Sequence, residues 1–238
     1  MTKLTASFWD KYFGVYDVLN ELLPYRHLIQ SLVSALVIKP GDRVLDAGAG
    51  TGNVSLPISA AGGIPTGFDI STSGMKLFKK KIPNAEYVIG DLSRQMPFAD
   101  HTFDKVVSNN VIYAIHPESR ALLGSELFRV LKPGGKIVIA NIAPGFRPFE
   151  IYTAHLKEEF AQSGLIQTFF KILSFTIPTI KMFYYNTLIR REHKGGEYSF
   201  MDEKAQEDFL RSAGFVHISD GVRLYGGHGV LTSAEKPL

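Results

Sequence analysis

The chain has 238 residues, of which 45% are hydrophobic and 21% charged, with a formal net charge of +3 and no cysteine. Those proportions exclude a disordered chain, and the small positive charge gives no warrant for a nucleic-acid partner. Without cysteine there are no disulfides, thiolate nucleophiles or cysteine-zinc sites, which fits a reducing compartment.

The opening Met1-Thr2-Lys3-Leu4-Thr5-Ala6-Ser7 leads into acidic and aromatic residues rather than an apolar run, so no signal peptide is read and a cytoplasmic protein is expected. Tyr12, Phe13 and Tyr16 share helical spacing and suit either a core or a lid. Apolar positions from 17 to 38 predict further helix, broken or kinked near Pro24, and Pro40-Gly41-Asp42 is a turn. Short apolar runs then alternate with longer amphipathic ones. They predict strands near 43–47, 65–69, 85–89, 103–108 and 136–141, and helices from about 52, at 72–81 and at 118–130. That alternation means a parallel sheet covered on both faces. From about 147 some 50 residues of helix-like, aromatic-rich sequence intervene before a last helix near 202–213. Gly214–Ile218 and Gly229–Ala234 read as two short strands closing the sheet in antiparallel fashion.

The densest chemical signal is Val44-Leu45-Asp46-Ala47-Gly48-Ala49-Gly50-Thr51-Gly52, a buried strand opening into spaced glycines. Glycine tolerates positive φ and lets main-chain N–H groups approach a ligand. A dinucleotide fingerprint needs glycines at offsets 0, 2 and 5, whereas here they fall at 0, 2 and 4 with Asn53 in the last place, which argues against NAD. Asp46 suits a cofactor bearing an ammonium group. Asp69 ends the second strand, 19 residues after Gly50, where a carboxylate accepts from ribose hydroxyls. A strand-end Asp also serves as a helix cap, but its register with the glycine loop favours the ribose. Asp91 ends the third strand, so three acids converge on the crevice outside the strand ends.

VLDAGAGTG, GFDIS, GDL, MPFADHTFDKVVSNNVIY and RVLKPGGKIVIA, in this order over residues 40–142, resemble the class I S-adenosylmethionine-dependent methyltransferases. Tyr16-Asp17-Val18-Leu19-Asn20 and Tyr198-Ser199-Phe200 are similar to the flanks of the ubiquinone/menaquinone biosynthesis C-methyltransferases. Asn53 stands where that group carries Asp, and Asn109–Ala114 departs from its strand-four exit. The resemblance implies an α/β, Rossmann-like fold: a seven-stranded, mostly parallel sheet, helices on both faces, an antiparallel last strand and a helical cap inserted after strand five. It divides a single domain, 1–238, into an N-terminal helical cap (1–40), a cofactor-binding core (41–146), a helical substrate cap (147–197) and a closing helix and strands (198–238). It further implies that S-adenosyl-L-methionine is held by Asp46, Gly48, Gly50, Thr51 and Gly52 at the methionine moiety, Asp69 at the ribose, Asp91 and Leu92 at the adenine, and Asn109 on the amino-acid side, with Ile70 also in the cofactor-binding set.

Methyl transfer from a sulfonium needs alignment and exclusion of water rather than a metal or a triad. Aromatic faces favour the sulfonium charge, making Tyr12 and Tyr16, with Tyr184 and Tyr185, candidates for lid or substrate wall. His116 and Tyr113, with His27 behind them, are candidate bases, although His116-Pro117-Glu118 also reads as a helix start. The acceptor is expected to be a small apolar or aromatic molecule, quinol-like or otherwise lipophilic. Between Phe160 and Arg191 there is no acidic residue, while Lys171, Lys181, Arg190 and Arg191 stand among aromatics. Peripheral contact with anionic lipid through 160–194 is therefore a further expectation, against a cap helix with a solvated basic face. The alternatives in other classes are a lipid amine N-methyltransferase, a non-catalytic binding or activator subunit of the same fold, and an NAD oxidoreductase.

Overall fold

Strands buried on both faces are short, apolar and regularly spaced, and those of this chain assemble into one sheet. The computed structural model describes residues 5–194 and 199–238, excepting the side chains of residues 163, 165–176 and 192–194. In chain order the strands are β1 (Arg43–Ala47), β2 (Ile64–Asp69), β3 (Glu86–Ile89), β4 (Phe103–Asn109), β5 (Leu131–Ile142), β6 (Val222–Leu224) and β7 (Gly229–Glu235). They lie in the order β3-β2-β1-β4-β5-β7-β6. The β1–β5 pairings are parallel, and β7 is antiparallel to β5 and β6. The order reverses between β1 and β4, which opens a crevice at the carboxyl ends of those strands.

Side chains alternate across this sheet. Val44, Val107, Val138 and Ala140 pack with helices α1 (Ala6–Tyr16), α2 (Leu23–Leu36) and α6 (Pro148–Lys194). Their neighbours Leu45, Val106, Ile137 and Ile139 face α5 (Pro117–Val130) and α7 (Glu203–Ser212). Helix α4 (Thr72–Lys81) adds a smaller cluster around Met75 and Phe78, and α3 (Ser55–Ala60) contributes Ile58 to the first core. Each fully buried Leu, Ile or Phe in such a layer contributes about 1.5–3 kcal/mol from removal of apolar surface from water.

Leu22, with extended backbone, separates a 3₁₀ turn, Asp17–Glu21, from α2, which Pro24 helps to open. The proline occupies the first turn of α2, where a missing N–H costs nothing. The expected break therefore falls between two helical pieces rather than inside one.

Two expectations shift. β5 begins at Leu131 and runs through Lys132–Gly135 instead of starting at 136, with a register shift against Phe103 and Lys105 taken up where Gly134 adopts φ 71°. The first closing strand is Val222–Leu224, not Gly214–Ile218: Val216 makes only an isolated bridge to Glu235, while Phe215 turns into the core beside Phe128. The helical stretch after strand five forms as α6, interrupted at Gly164 (φ 74°, ψ 174°). Among the described residues no helix is long and apolar enough to cross a membrane. Tyr198, quoted above for its flanking similarity, lies outside the described residues.

Candidate active site

The site is built where β1, β2, β3 and β4 end. After β1 the backbone turns through Gly48 (φ 87°) and Gly50 (φ 50°), a left-handed conformation that favours glycine. A Cβ on Gly48 would collide with Val111, and one on Gly50 would lie 2.6 Å from the Phe13 ring. The glycines thus also let α1 and the strand-four exit close onto the loop. Asp69 fixes that loop: its Oδ2 accepts the Gly50 N–H at 2.9 Å and its Oδ1 accepts the Ser71 N–H at 2.8 Å. The helix cap beside it is Ser71, whose Oγ accepts from the Gly74 N–H at 2.9 Å.

Both strand-end acids are protonated more readily than ordinary carboxyls. Burial pushes Asp69 up to about 6 against the pull of the backbone N–H groups of Ser71, Gly50 and Ile70. Burial pushes Asp46 up to about 7, opposed by Ser55, whose Oγ donates to Asp46 Oδ2 at 2.6 Å, and reinforced by the charge of Asp69. Asp91, after β3, accepts from the Ser93 N–H at 2.8 Å and the Ser93 hydroxyl at 2.7 Å. Asn109 ends β4 with its Oδ1 buried and unpartnered, an acceptor facing the crevice.

These groups line a cavity of about 340 Å³. Its wall includes Gly48, Gly50, Asp69, Ile70, Asp91, Leu92 and Asn109 from the expected cofactor set. Asp46, Thr51 and Gly52 lie behind that wall. Thr51 donates to Asp17 Oδ1 at 2.7 Å, and Lys81 Nζ reaches the same oxygen at 2.6 Å and Asn53 Oδ1 at 2.6 Å. The three residues shape the loop from below rather than facing the void.

The opposite wall is aromatic. Trp9, Tyr12, Phe13 and Tyr16 of α1 cover the cavity and are also core residues or packed on the core, so lid and core are one surface. Asp10 anchors that helix: its Oδ1 accepts from the Ser71 hydroxyl at 2.6 Å, the Ser73 N–H at 2.9 Å and the Ser73 hydroxyl at 2.8 Å. Those bonds, the one from Ser71 foremost, lower the Asp10 pKa. Tyr113 lines the cavity and stacks edge-on against Phe200 at 5.4 Å. His116 lines it too, with a side chain 43% exposed and 3.8 Å from Glu118; it caps α5 by backbone only, ahead of Pro117. Tyr185 packs on Phe8 and Tyr12 without reaching the cavity, and Tyr184 is 62% exposed on α6. His27 sits outside the site, 3.6 Å from Glu158.

Sequence reading missed Tyr25, Ile142, Phe146, Asn186 and Tyr225, all on the wall. Tyr25 donates to the Tyr16 hydroxyl at 3.2 Å. Burial raises the pKa of Tyr12, Tyr16, Tyr113 and Tyr225, and that of Tyr25 to about 12, so these hydroxyls are neutral hydrogen-bonding groups. Two distant contacts hold the strand-four exit. The Ile112 N–H donates to Asn141 Oδ1 at 3.0 Å, and Arg120 bonds the carbonyls of Tyr113 and Ile115 and both oxygens of Ser199.

Residues 45–139, which contain the glycine loop and all three strand-end acids, match the family described as Methyltransferase domain. The chain carries a methyltransferase domain. Among curated proteins it is 36% identical over 159 residues to the demethylmenaquinone methyltransferase of Renibacterium salmoninarum, covering 63% of this chain and 65% of that protein. It is 35% identical over 140 residues to the ubiquinone/menaquinone biosynthesis C-methyltransferase UbiE of Geotalea daltonii, covering 54% of this chain and 58% of the relative. The chain therefore spans less than two thirds of the length of these relatives. A solved structure of Haemonchus contortus phosphoethanolamine N-methyltransferase 2, with phosphomonomethylethanolamine and S-adenosylhomocysteine, aligns with a TM-score of 0.64 at 18% identity, over 96% of this chain and 58% of that one. The methyltransferase domain shares the fold of that structure.

Proposed function

We propose that this chain is an S-adenosylmethionine-dependent methyltransferase acting on a small, uncharged aromatic acceptor of the quinol type. The observation that carries this reading is the division of the cavity into two chemically different ends. Among its described lining residues the carboxylates are Asp69 and Asp91, and there is no Lys, Arg or Glu. One end offers these two acids, the glycine-loop backbone and the unpartnered Asn109 Oδ1; the other offers Tyr16, Tyr25, Tyr113, Phe146 and Tyr225.

The first end fits the cofactor. Asp69 suits a ribose diol, Ile70 and Leu92 flank the position of a base beside Asp91, and Asn109 Oδ1 suits an ammonium group. When bound, the cofactor supplies a methyl on a good leaving group. The chain itself orients the partners and excludes water, the contributions that dominate such a transfer. The second end lacks a cation to neutralise a phosphate, which disfavours a phosphorylated amine and favours a neutral ring held by tyrosine faces and hydroxyls. Because burial keeps the tyrosines protonated, they hydrogen-bond the acceptor rather than deprotonate it. His116, at the half-exposed rim 3.8 Å from Glu118, is the candidate base among the lining side chains.

Transfer of labelled methyl from S-adenosylmethionine to a reduced 1,4-naphthoquinol, and none to phosphoethanolamine, is the expected outcome; the reverse preference overturns the acceptor assignment. A second reading concerns location. Ile177, Ile180 and Tyr184, 69%, 63% and 62% exposed, share one face of α6 with exposed Lys181 nearby. This favours peripheral contact with an anionic bilayer, although Lys171, Phe169, Phe170 and Phe175 of the expected patch lie outside the described side chains. Flotation with vesicles containing anionic lipid, lost at high salt, is expected; equal recovery with neutral vesicles contradicts it.

A further inference from the structure

Between β6 and β7 the chain turns through Tyr225, Gly226 and Gly227, all three at positive φ (58°, 66° and 85°). Glycine is the ordinary residue for such backbone, and a residue with a Cβ in the left-handed region costs about 1–2 kcal/mol. Tyr225 nonetheless stands there, 7% exposed, on the wall of the main cavity, with its ring 5.9 Å from that of Tyr25. Both flanks of the turn are tied down. Arg223 on β6 pairs with Glu203 of α7 at 2.6 Å, and His228 lies 3.0 Å from Glu150 of α6. Strain of this kind persists only where the surrounding structure fixes it, and it concentrates at active sites and ligand clamps.

The hydroxyls of Tyr16 and Tyr25 bond each other, and Tyr25 also accepts from Asn53 Nδ2 at 3.5 Å. Among the described residues, by contrast, neither the Tyr225 hydroxyl nor the amide of Asn186, 8% exposed on α6, has a hydrogen-bond partner. The two residues meet at one place: both belong to the wall of the main cavity and to that of a void of about 30 Å³ beside it. Both also lie outside residues 45–139, the methyltransferase match, in the parts of the chain that build the acceptor end. Two buried donors without protein partners are matched by an oxygen with two lone pairs. We infer, resting on the uncharged-ring reading above, that Tyr225 and Asn186 grip one ring oxygen of the acceptor, the hydroxyl O–H and the amide N–H both donating to it. The strained turn holds the tyrosine at that oxygen, and the pair selects oxygenated rings over bare hydrocarbon ones.

The full chain, saturated with S-adenosylhomocysteine, is titrated calorimetrically with 1-tetralone, a bicycle with a single ring carbonyl, and with tetralin, the same bicycle without oxygen. Tyr225→Phe and Asn186→Leu delete the donors at nearly constant shape. Each is expected to lower the preference for tetralone over tetralin about tenfold, the effect of losing one hydrogen bond, while the affinity for S-adenosylhomocysteine stays unchanged. Asn186→Ala takes the place of Asn186→Leu if the larger side chain disturbs that affinity. Because tetralone has one oxygen, an effect of both variants places both donors on it. An unchanged preference in both variants means that water alone satisfies the two groups and overturns the inference; an unchanged preference in one overturns the shared grip. Equal weakening of tetralone and tetralin marks a role in wall shape and overturns the oxygen assignment. Failure of the unaltered protein to bind either bicycle overturns the ring reading and the grip with it.

Discussion

Asp69 is where sequence and geometry meet most directly. Its spacing from Gly50 was legible because a carboxylate at the second strand end and a glycine loop at the first are neighbours in any parallel sheet of this order. Its grip on the Gly50 N–H was not, since a backbone bond leaves no mark on residue identity. The same holds for Asn141, bonded to Ile112 from 29 residues away, and for Arg120, bonded to Ser199 from 79 residues away. Buried carboxyls with raised pKa values give a pH signature of fixed sign. Folding favours protonated Asp46 and Asp69, so their contribution to stability is greatest below the ordinary carboxyl range and is lost as pH rises through about 6 for Asp69 and about 7 for Asp46. Each group removes roughly 1.4 kcal/mol per pH unit within its window. Denaturant melts from pH 4.5 to 8 are expected to show stability falling with pH, and Asp46→Asn is expected to flatten the upper part. Under the proposed role of Asp69 at the ribose, cofactor binding runs the other way, because an ionised carboxylate is the better acceptor. Affinity for S-adenosylhomocysteine is expected to rise through about pH 6, and Asp69→Asn to remove that step.

Among the elements, β1, β2, β4 and α4 form where apolar period and turn residues place them, because the central strands are buried on both faces, and β3, a largely exposed edge strand, forms there too. The misread elements sit where local pattern and burial disagree. Val222–Leu224 is three residues long and largely exposed, whereas the apolar Gly214–Ile218 gives its Phe215 to the core instead of pairing along its length. Helix α1 has its function in its anchoring. Asp10→Ala removes an acceptor for three hydrogen bonds and is expected to weaken S-adenosylhomocysteine binding about tenfold, at ~1.4 kcal/mol. Faster amide exchange confined to α1 would accompany it; unchanged exchange and affinity contradict the role of α1 as a latched cover. Arg120 ties the strand-four exit to the segment before α7. Arg120→Ala is expected to cost ~2–3 kcal/mol in chemical denaturation, from partly buried bonds made by a charged donor. A loss under ~0.5 kcal/mol, as for an ordinary surface residue, contradicts that role.

For the molecule as a whole, the sheet order puts three acids and a glycine loop at one set of strand ends, while α1, α2 and the turn after β6 bring Tyr12, Tyr16, Tyr25 and Tyr225 over them. The carboxylate end was legible because it is written in consecutive strand–turn units. The aromatic end was half legible: Tyr12, Tyr16 and Tyr113 stood out, but Tyr25 and Tyr225 meet across about 200 residues of chain, their rings 5.9 Å apart. The most direct test of the two-ended cavity is a calorimetric titration of the intact chain with S-adenosylhomocysteine, with NAD alongside. One site per chain of micromolar affinity for S-adenosylhomocysteine, lost in Asp69→Ala, and no heat from NAD are expected; binding of NAD, or S-adenosylhomocysteine binding indifferent to Asp69, would contradict the two-ended cavity.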